Sequence, residues 1–260
     1  MYHTIFINDN EIDNNVTLAS ADSYFKLGLS KLDFVKVISI EKLEDIHFKY
    51  KNLIISSNRN SIKFNNFIIN NIKLNLIKNI NIYLILTGGI HNYFDFTFKY
   101  NVISTYSYAL NIYFDNYNDN YWMPHMIRYN VKYNKNPINK LLVTGARNIK
   151  VYPNRHIMIE KSKLNSNIVY TKRPYVYDKN NIGENDLFGE NYIKLLSNYL
   201  ICFTDELNDN RPYLVAKFFE IMSSGALLLT TNKITKKYFK NLGFIDGIHY
   251  ISTTIEDRFL

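Results

Sequence analysis

Short apolar runs set between polar stretches divide the chain into expected strands and helices. Ile80 to Leu86 (INIYLIL) reads as a strand that stops at Thr87-Gly88-Gly89. Strands are also expected over Thr4 to Ile7, Phe34 to Ile40, Asn52 to Ser57 and Val102 to Tyr106, with a further apolar element over Tyr108 to Phe114. Ala19 to Leu29 and Phe64 to Lys78 look like helical or irregular spacers. Past residue 140 the alternation becomes regular. It predicts strand Lys140 to Val143, helix Pro153 to Ser162, strand Asn167 to Tyr170, helix Glu190 to Ser197 and strand Tyr199 to Thr204. A helix and strand within 211–231 follow, then helix Thr235 to Asn241 and strand His249 to Ser252. Strands separated by helical spacers imply parallel α/β sheets. Val131 to Lys140 (VKYNKNPINK) is polar, aperiodic and carries Pro137, so it reads as a linker between domains at 1–130 and 141–260.

The stretch Arg211 to Thr231 (RPYLVAKFFEIMSSGALLLTT) organises the second half. Pro212 suits the first turn of a helix, where a missing N–H costs nothing. Val215, Phe219 and Met222 fall at helical spacing and predict a buried stripe. Gly225 suits a left-handed cap, and Ala226 to Leu229 a strand covered on both faces. Lys217, Glu220 and Ser224 share one helix face. A carboxylate among such apolar neighbours needs a partner. The helix start suits a phosphate, and Glu220 could accept both hydroxyl protons of a ribose. On spacing alone, an i,i+3 ion pair on the surface is the stronger reading.

Composition narrows the classes. With 47% hydrophobic residues, the 260-residue chain can bury a sizeable core. The formal net charge of +8 favours anionic partners, but the lysines are scattered, so nucleic-acid binding is not expected. Asn58 to Asn81 interleaves its asparagines with Ile, Phe and Leu, which argues against a disordered tract. Cys202, the single cysteine, lies in an apolar run and reads as a buried structural thiol in an intracellular, cytoplasmic protein (host cytoplasm for a virus or parasite). No signal peptide or run of membrane-spanning length is apparent; peripheral membrane contact stays open. There is no P-loop, HExxH, paired-cysteine site or GxSxG elbow. Asp115 and Asp119 read as solvated acids rather than a metal pair.

Lys217-Phe218-Phe219-Glu220-Ile221, followed by Ser224-Gly225-Ala226-Leu227-Leu228-Leu229-Thr230, resembles the C-terminal donor-site signature of GT-B glycosyltransferases. Leu242 to Gly247, and then His249-Tyr250-Ile251, resemble the helix, turn and strand that follow it there. The resemblance is strongest over Leu142 to Ile251. It implies an α/β chain of two Rossmann-like domains facing a cleft, shortened at the C-terminal end. It also implies that Glu220 holds the ribose of a nucleotide sugar and that Gly225 lets the backbone approach it. Where many retaining members carry a second glutamate, this chain has Pro212, with Glu206 and Asp209 nearby, so the stereochemical course is not specified.

The loops after the strands supply further candidates, because open α/β sheets bind ligands at strand carboxyl ends. Thr144 to Pro153 (TGARNIKVYP) resembles the family's glycine-then-basic loop. Gly145 would allow a tight turn, and Arg147 and Lys150 would meet the diphosphate; a solvated surface loop is the alternative. Tyr152-Pro153-Asn154-Arg155 resembles a Tyr-Pro-x-Arg helix start, which makes Arg155 a cleft candidate. Tyr175 could stack on the base, although a plain surface loop fits its residues better. His91 is the candidate acceptor base, with Asp95 to orient or replace it. A lone histidine is more often structural. Tyr121 to His125 resembles a Trp-x-Pro-His element, with His125 near the cleft or packed at the hinge.

Together these imply a glycosyltransferase that moves a sugar from a nucleotide diphosphate sugar to a glycan, protein or lipid acceptor. No metal and no cofactor beyond the donor are expected, with Lys217 joining Arg147 and Lys150 on the diphosphate. The rival readings are an inactive nucleotide-sugar-binding or glycan-binding scaffold, an epimerase, and a basic nucleic-acid binder with steep salt dependence.

Overall fold

A computed structural model describes residues 4–8, 32–39, 52–57, 81–86, 101–104, 120–122, 131–172, 189–205, 214–231 and 235–254. The backbone falls into two compact units, Met1–Val16 with Ser20–Pro124 and Thr17–Ala19 with His125–Leu260.

The first unit holds six strands: β1 (Thr4–Asn8), β2 (Val35–Ser39), β3 (Asn52–Ser57), β4 (Asn81–Leu86), β5 (Asn101–Ser104) and β6 (Asn120–Trp122). They form one sheet in the order β2-β1-β3-β4-β5-β6, with every neighbouring pair parallel. Parallel neighbours need a crossover of about a dozen residues. Even the shortest link between paired strands here is long enough. The strand β6 is an addition to the sequence reading, since three residues are too few to show a period. The expected elements over 19–29, 64–78 and 108–114 lie outside the described residues.

The second unit holds β7 (Ile138–Thr144), β8 (Ile168–Thr171), β9 (Tyr199–Phe203), β10 (Leu227–Thr231) and β11 (Ile251–Thr253). Its described helices are α1 (Pro153–Ser162), α2 (Gly189–Ser197), α3 (Ala216–Ser223) and α4 (Thr235–Asn241). The sheet order is β11-β10-β9-β7-β8, again all parallel. One core cluster joins Leu141 and Val143 of β7 to Met158 and Ile159 of α1, Ile168, Phe203 and Leu229. A second is aromatic. Phe239 of α4 is fully buried and meets Phe218, Phe244 and Tyr250 edge-on, with centroids 5.7, 5.3 and 4.8 Å away.

The structure corrects the sequence reading in four places. The helix α3 opens at Ala216 behind an extended Val215 (φ −70°, ψ 155°), later than the start expected at Pro212, which lies outside the described residues. It is α1 that starts on a proline, Pro153. The buried face of α3 carries Lys217, Phe218, Glu220 and Ile221, while Phe219 and Met222 are only half-buried. Phe239 meets both rings, Phe218 at 5.7 Å and Phe219 at 6.3 Å between centroids, but only Phe218 is fully buried. Lys217 and Glu220 are consequently buried rather than a surface pair. Of the expected linker, Ile138 to Lys140 already belong to β7, and Asn134 Nδ2 donates to the Ser197 carbonyl at 3.2 Å. The last strand starts at Ile251 rather than His249, because Tyr250 makes only an isolated bridge to Asp246. Gly225 takes the expected left-handed conformation, with φ +81°. Among the described residues, no helix is long and apolar enough to cross a membrane.

Candidate functional site

In the second sheet β7 comes first in the chain, β8 lies on one side of it and β9 on the other. Chain order therefore reverses between β7 and β9. Loops leaving the carboxyl ends of two such strands diverge and open a crevice, the usual ligand position in this class of sheet. There β7 runs out into Thr144 and Gly145, and β9 into Thr204 and Asp205.

All four of the buried charged residues among those described lie on elements that meet this edge. They are Arg155 on α1, Asp205 after β9, and Lys217 and Glu220 on α3, with relative exposures of 2, 0, 8 and 6%. A buried charge costs several kcal/mol unless it is paired and hydrogen-bonded, so their contacts matter. Lys217 Nζ donates to the Thr144 carbonyl at 2.8 Å. Asp205 Oδ2 accepts the backbone N–H of Arg155 at 3.0 Å, and its Oδ1 lies 3.1 Å from Arg155 Nη2. The same Nη2 donates to Thr204 Oγ1 at 3.3 Å. The guanidinium carbon sits 3.7 Å from the centroid of the Tyr152 ring, in cation–π range.

Asp205 thus caps α1 from another element. Tyr152, the helix's own N-cap residue, makes no capping bond with its side chain. The first N–H groups of a helix have no acceptor within it, and Asp205 meets the one on Arg155.

Gly145 is required twice over. Its φ of +109° disfavours any side chain, and a Cβ there would collide with Lys217 Nζ and lie 3.3 Å from Arg155 Nη1. Two cations therefore converge on one glycine. The turn itself is pinned by Tyr170 OH, which donates to the Gly145 carbonyl at 3.1 Å, and by a 2.6 Å hydroxyl pair between Thr144 and Tyr192.

Of the residues singled out from the sequence, Gly145, Arg155 and Lys217 come together here. Glu220 and Ser224 share the buried side of α3. The Ser224 hydroxyl is engaged by the turn: it donates to the Ile221 carbonyl at 2.7 Å and accepts the Ala226 N–H at 3.3 Å. A Cβ on Gly225 would lie 3.1 Å from the Tyr133 ring. Arg147 is not drawn into the cluster. It is exposed and pairs with Glu160 on the outer side of α1, where Lys163 also binds. The hydrogen bond from Lys163, with the charge of Arg147 beside it, holds the Glu160 carboxyl below the ordinary carboxylate range. Lys150 is exposed in the turn before α1, its N–H bonded to Asn148 Oδ1 at 3.0 Å. His91, Asp95, His125 and Tyr175 lie outside the described residues.

Sequence reasoning missed Asp205. The available signal was its position, a carboxylate directly after a strand of a parallel sheet. Cys202 is buried as expected, its Sγ 3.6 Å from the Leu196 carbonyl, and burial pushes the thiol up to about 12 against the pull of Lys217.

No protein-family model and no curated protein matches this sequence. Seven chains of solved structures do. In one, the crystal structure of a GtfA/B complex, the similar part covers 79% of this chain and 47% of that chain, at 12% identity and a TM-score of 0.44. The chain spans about half the length of that neighbour.

Proposed function

We propose that this chain is a GT-B-type glycosyltransferase that transfers a sugar from a nucleotide diphosphate sugar to a glycan, protein or lipid acceptor. One observation carries the reading: Lys217 and Glu220 are both buried on α3, beside a parallel sheet with a switch point, in a segment that resembles a donor site. An exposed ion pair would have been reason enough for the two residues to exist; burial of both charges calls for a further reason.

In this reading Lys217 faces the diphosphate and Glu220 accepts the ribose hydroxyls. Negative charge builds on the leaving diphosphate as the glycosidic bond breaks. A fixed cation in a site shielded from water stabilises that charge far better than one in bulk solvent. The positive charge comes from side chains rather than a metal. His91, or Asp95 in its place, takes or orients the acceptor proton.

The runner-up is an inactive nucleotide-sugar-binding domain. It is favoured by the fact that Lys217 and Arg155 already have protein partners in Thr144 and Asp205.

The test is a thermal-shift panel of nucleoside diphosphates and their sugars on wild type, Glu220→Gln and Glu220→Ala. A ligand that binds only the native state must raise its melting temperature. The reading expects one nucleotide to stabilise the wild type and to lose that effect in both variants. A flat panel on folded wild type rejects the donor site. Release of nucleoside diphosphate when an acceptor is added separates the enzyme from the inactive binder.

A further inference from the structure

A carboxylate next to a diphosphate site is at first sight a handicap, because it repels the ligand. Asp205 is fully buried, yet it stands one residue past Thr204 at the same edge as Lys217 and Arg155. Its two oxygens engage two groups of a single residue, the backbone N–H and the guanidinium of Arg155, at 3.0 and 3.1 Å. With Thr204 Oγ1 on the same Nη2 and the Tyr152 ring against the guanidinium, Arg155 is left one orientation. That orientation turns Nη1 toward Gly145, against the point where Lys217 Nζ also sits. The neighbouring Nε–H is buried and has no acceptor among the described residues.

We infer that Asp205 is a positioning residue. It fixes Arg155 so that its guanidinium and the Lys217 ammonium flank Gly145 as a two-cation seat for a diphosphate. A side chain at Gly145 would collide with the Lys217 ammonium and crowd the Arg155 guanidinium, so the glycine is what lets the two cations stand side by side. This inference rests on the donor-site reading above and adds to it a residue that does not itself touch the ligand.

The sign of one substitution tests it. By Coulomb's law alone, Asp205→Asn removes a repelling charge and strengthens anion binding. If Asp205 positions Arg155, the same change weakens it: asparagine still offers an oxygen to the Arg155 N–H, but its amide nitrogen cannot accept from Nη2. Full-length wild type and Asp205→Asn are titrated by calorimetry with UDP, GDP and ADP, and with UMP, GMP and AMP. The expected result is a loss of about tenfold or more for the diphosphate that wild type binds, the scale of one charge-assisted hydrogen bond. The matching monophosphate should lose much less, because one cation suffices for it.

Equal or tighter diphosphate binding by Asp205→Asn overturns the inference and leaves the donor site standing. So does an equal loss for diphosphate and monophosphate, which is what a merely structural role produces. A wild type that binds none of the three diphosphates overturns the donor site itself, and the inference falls with it. Should Asp205→Asn not fold, Arg155→Lys takes its place. It keeps the charge but not the fork that reaches Asp205 and Thr204 together. The same selective loss is expected, and a wild-type preference for diphosphate over monophosphate overturns the inference.

Discussion

Two arginines at the start of the β7–α1 region each meet a carboxylate, and they could hardly differ more. Arg155 and Asp205 have side-chain exposures of 3 and 0%, whereas Arg147 and Glu160 have 49 and 39%. The first pair ties the helix start to the end of β9 by way of both backbone and side chain. The second lies along the outer side of α1, where Lys163 also reaches Glu160. Pairing alone therefore says little. Burial decides what a pair is worth, because two charges stripped of water depend wholly on each other, while exposed ones exchange a partner for solvent.

The largest expected effect follows directly. Asp205→Ala strands the Arg155 guanidinium in the interior and should cost about 3–5 kcal/mol, read from urea unfolding. Glu160→Ala should shift the midpoint far less, within the range of an exposed ion pair. Similar losses in the two variants would erase the distinction between the pairs.

Gly145 sharpens the same contrast at a backbone position. Gly145→Ala faces both an unfavourable φ and a collision with Lys217, whereas Gly243 has a φ of +80° with nothing near its missing Cβ. Gly243→Ala should cost about 1–2 kcal/mol, the price of a left-handed alanine. Gly145→Ala should cost more, and it should also abolish nucleoside diphosphate binding. Equal costs would mean that Lys217 moves aside freely and that the convergence of cations on Gly145 is not built in.

Much of the fold was legible because strand runs such as Ile80 to Leu86 and Leu227 to Leu229 carry their own local signal. So does a helix that starts on Pro153 or a turn on Gly225. The inward face of α3 was not legible. In KFFEIM the apolar Phe218, Phe219, Ile221 and Met222 let two overlapping stripes fit the helical period, and only tertiary packing chooses between them. The partnership of Arg155 and Asp205 joins residues far apart in the chain, and nothing local in either loop announces it. Arg147 is a candidate on sequence grounds because it follows a glycine closely. In the structure it pairs with Glu160 of α1, a contact that its own loop does not announce. For the candidate site, then, residue types and loop order could be read ahead, but which cation turned inward could not.

Cys202 reports on the buried side from a third direction. Its thiol is pushed up to about 12 in the folded chain by burial, while an unfolded thiol ionises near about 8.5. Between those values the unfolded state holds fewer protons than the native one, so stability must fall as pH rises. Urea unfolding should show a larger loss from pH 8 to pH 10 in wild type than in Cys202→Ala. A thiol reagent should react with Cys202 only as fast as the chain opens. Rapid labelling of the native protein would place the thiol, and with it the sheet beneath Lys217, within reach of solvent.

The smallest effect belongs to the exposed pair. The Lys163 hydrogen bond and the nearby Arg147 hold the Glu160 carboxyl below its ordinary 4.5. A carboxylate lowered in the folded state contributes stability above its unfolded value and loses it as pH falls through the folded one. The melting temperature of wild type should therefore exceed that of Glu160→Gln slightly at pH 7, and the gap should close on acidification below about pH 4. Salt should also close it, since screening at high ionic strength acts on exposed charges within a few ångströms of water. The stability loss of Asp205→Ala should survive the same salt, because salt screens a pair this far removed from bulk solvent much less. If salt abolished both differences alike, the buried pair would be accessible to solvent, and the case for Arg155 as a fixed cation would fail with it.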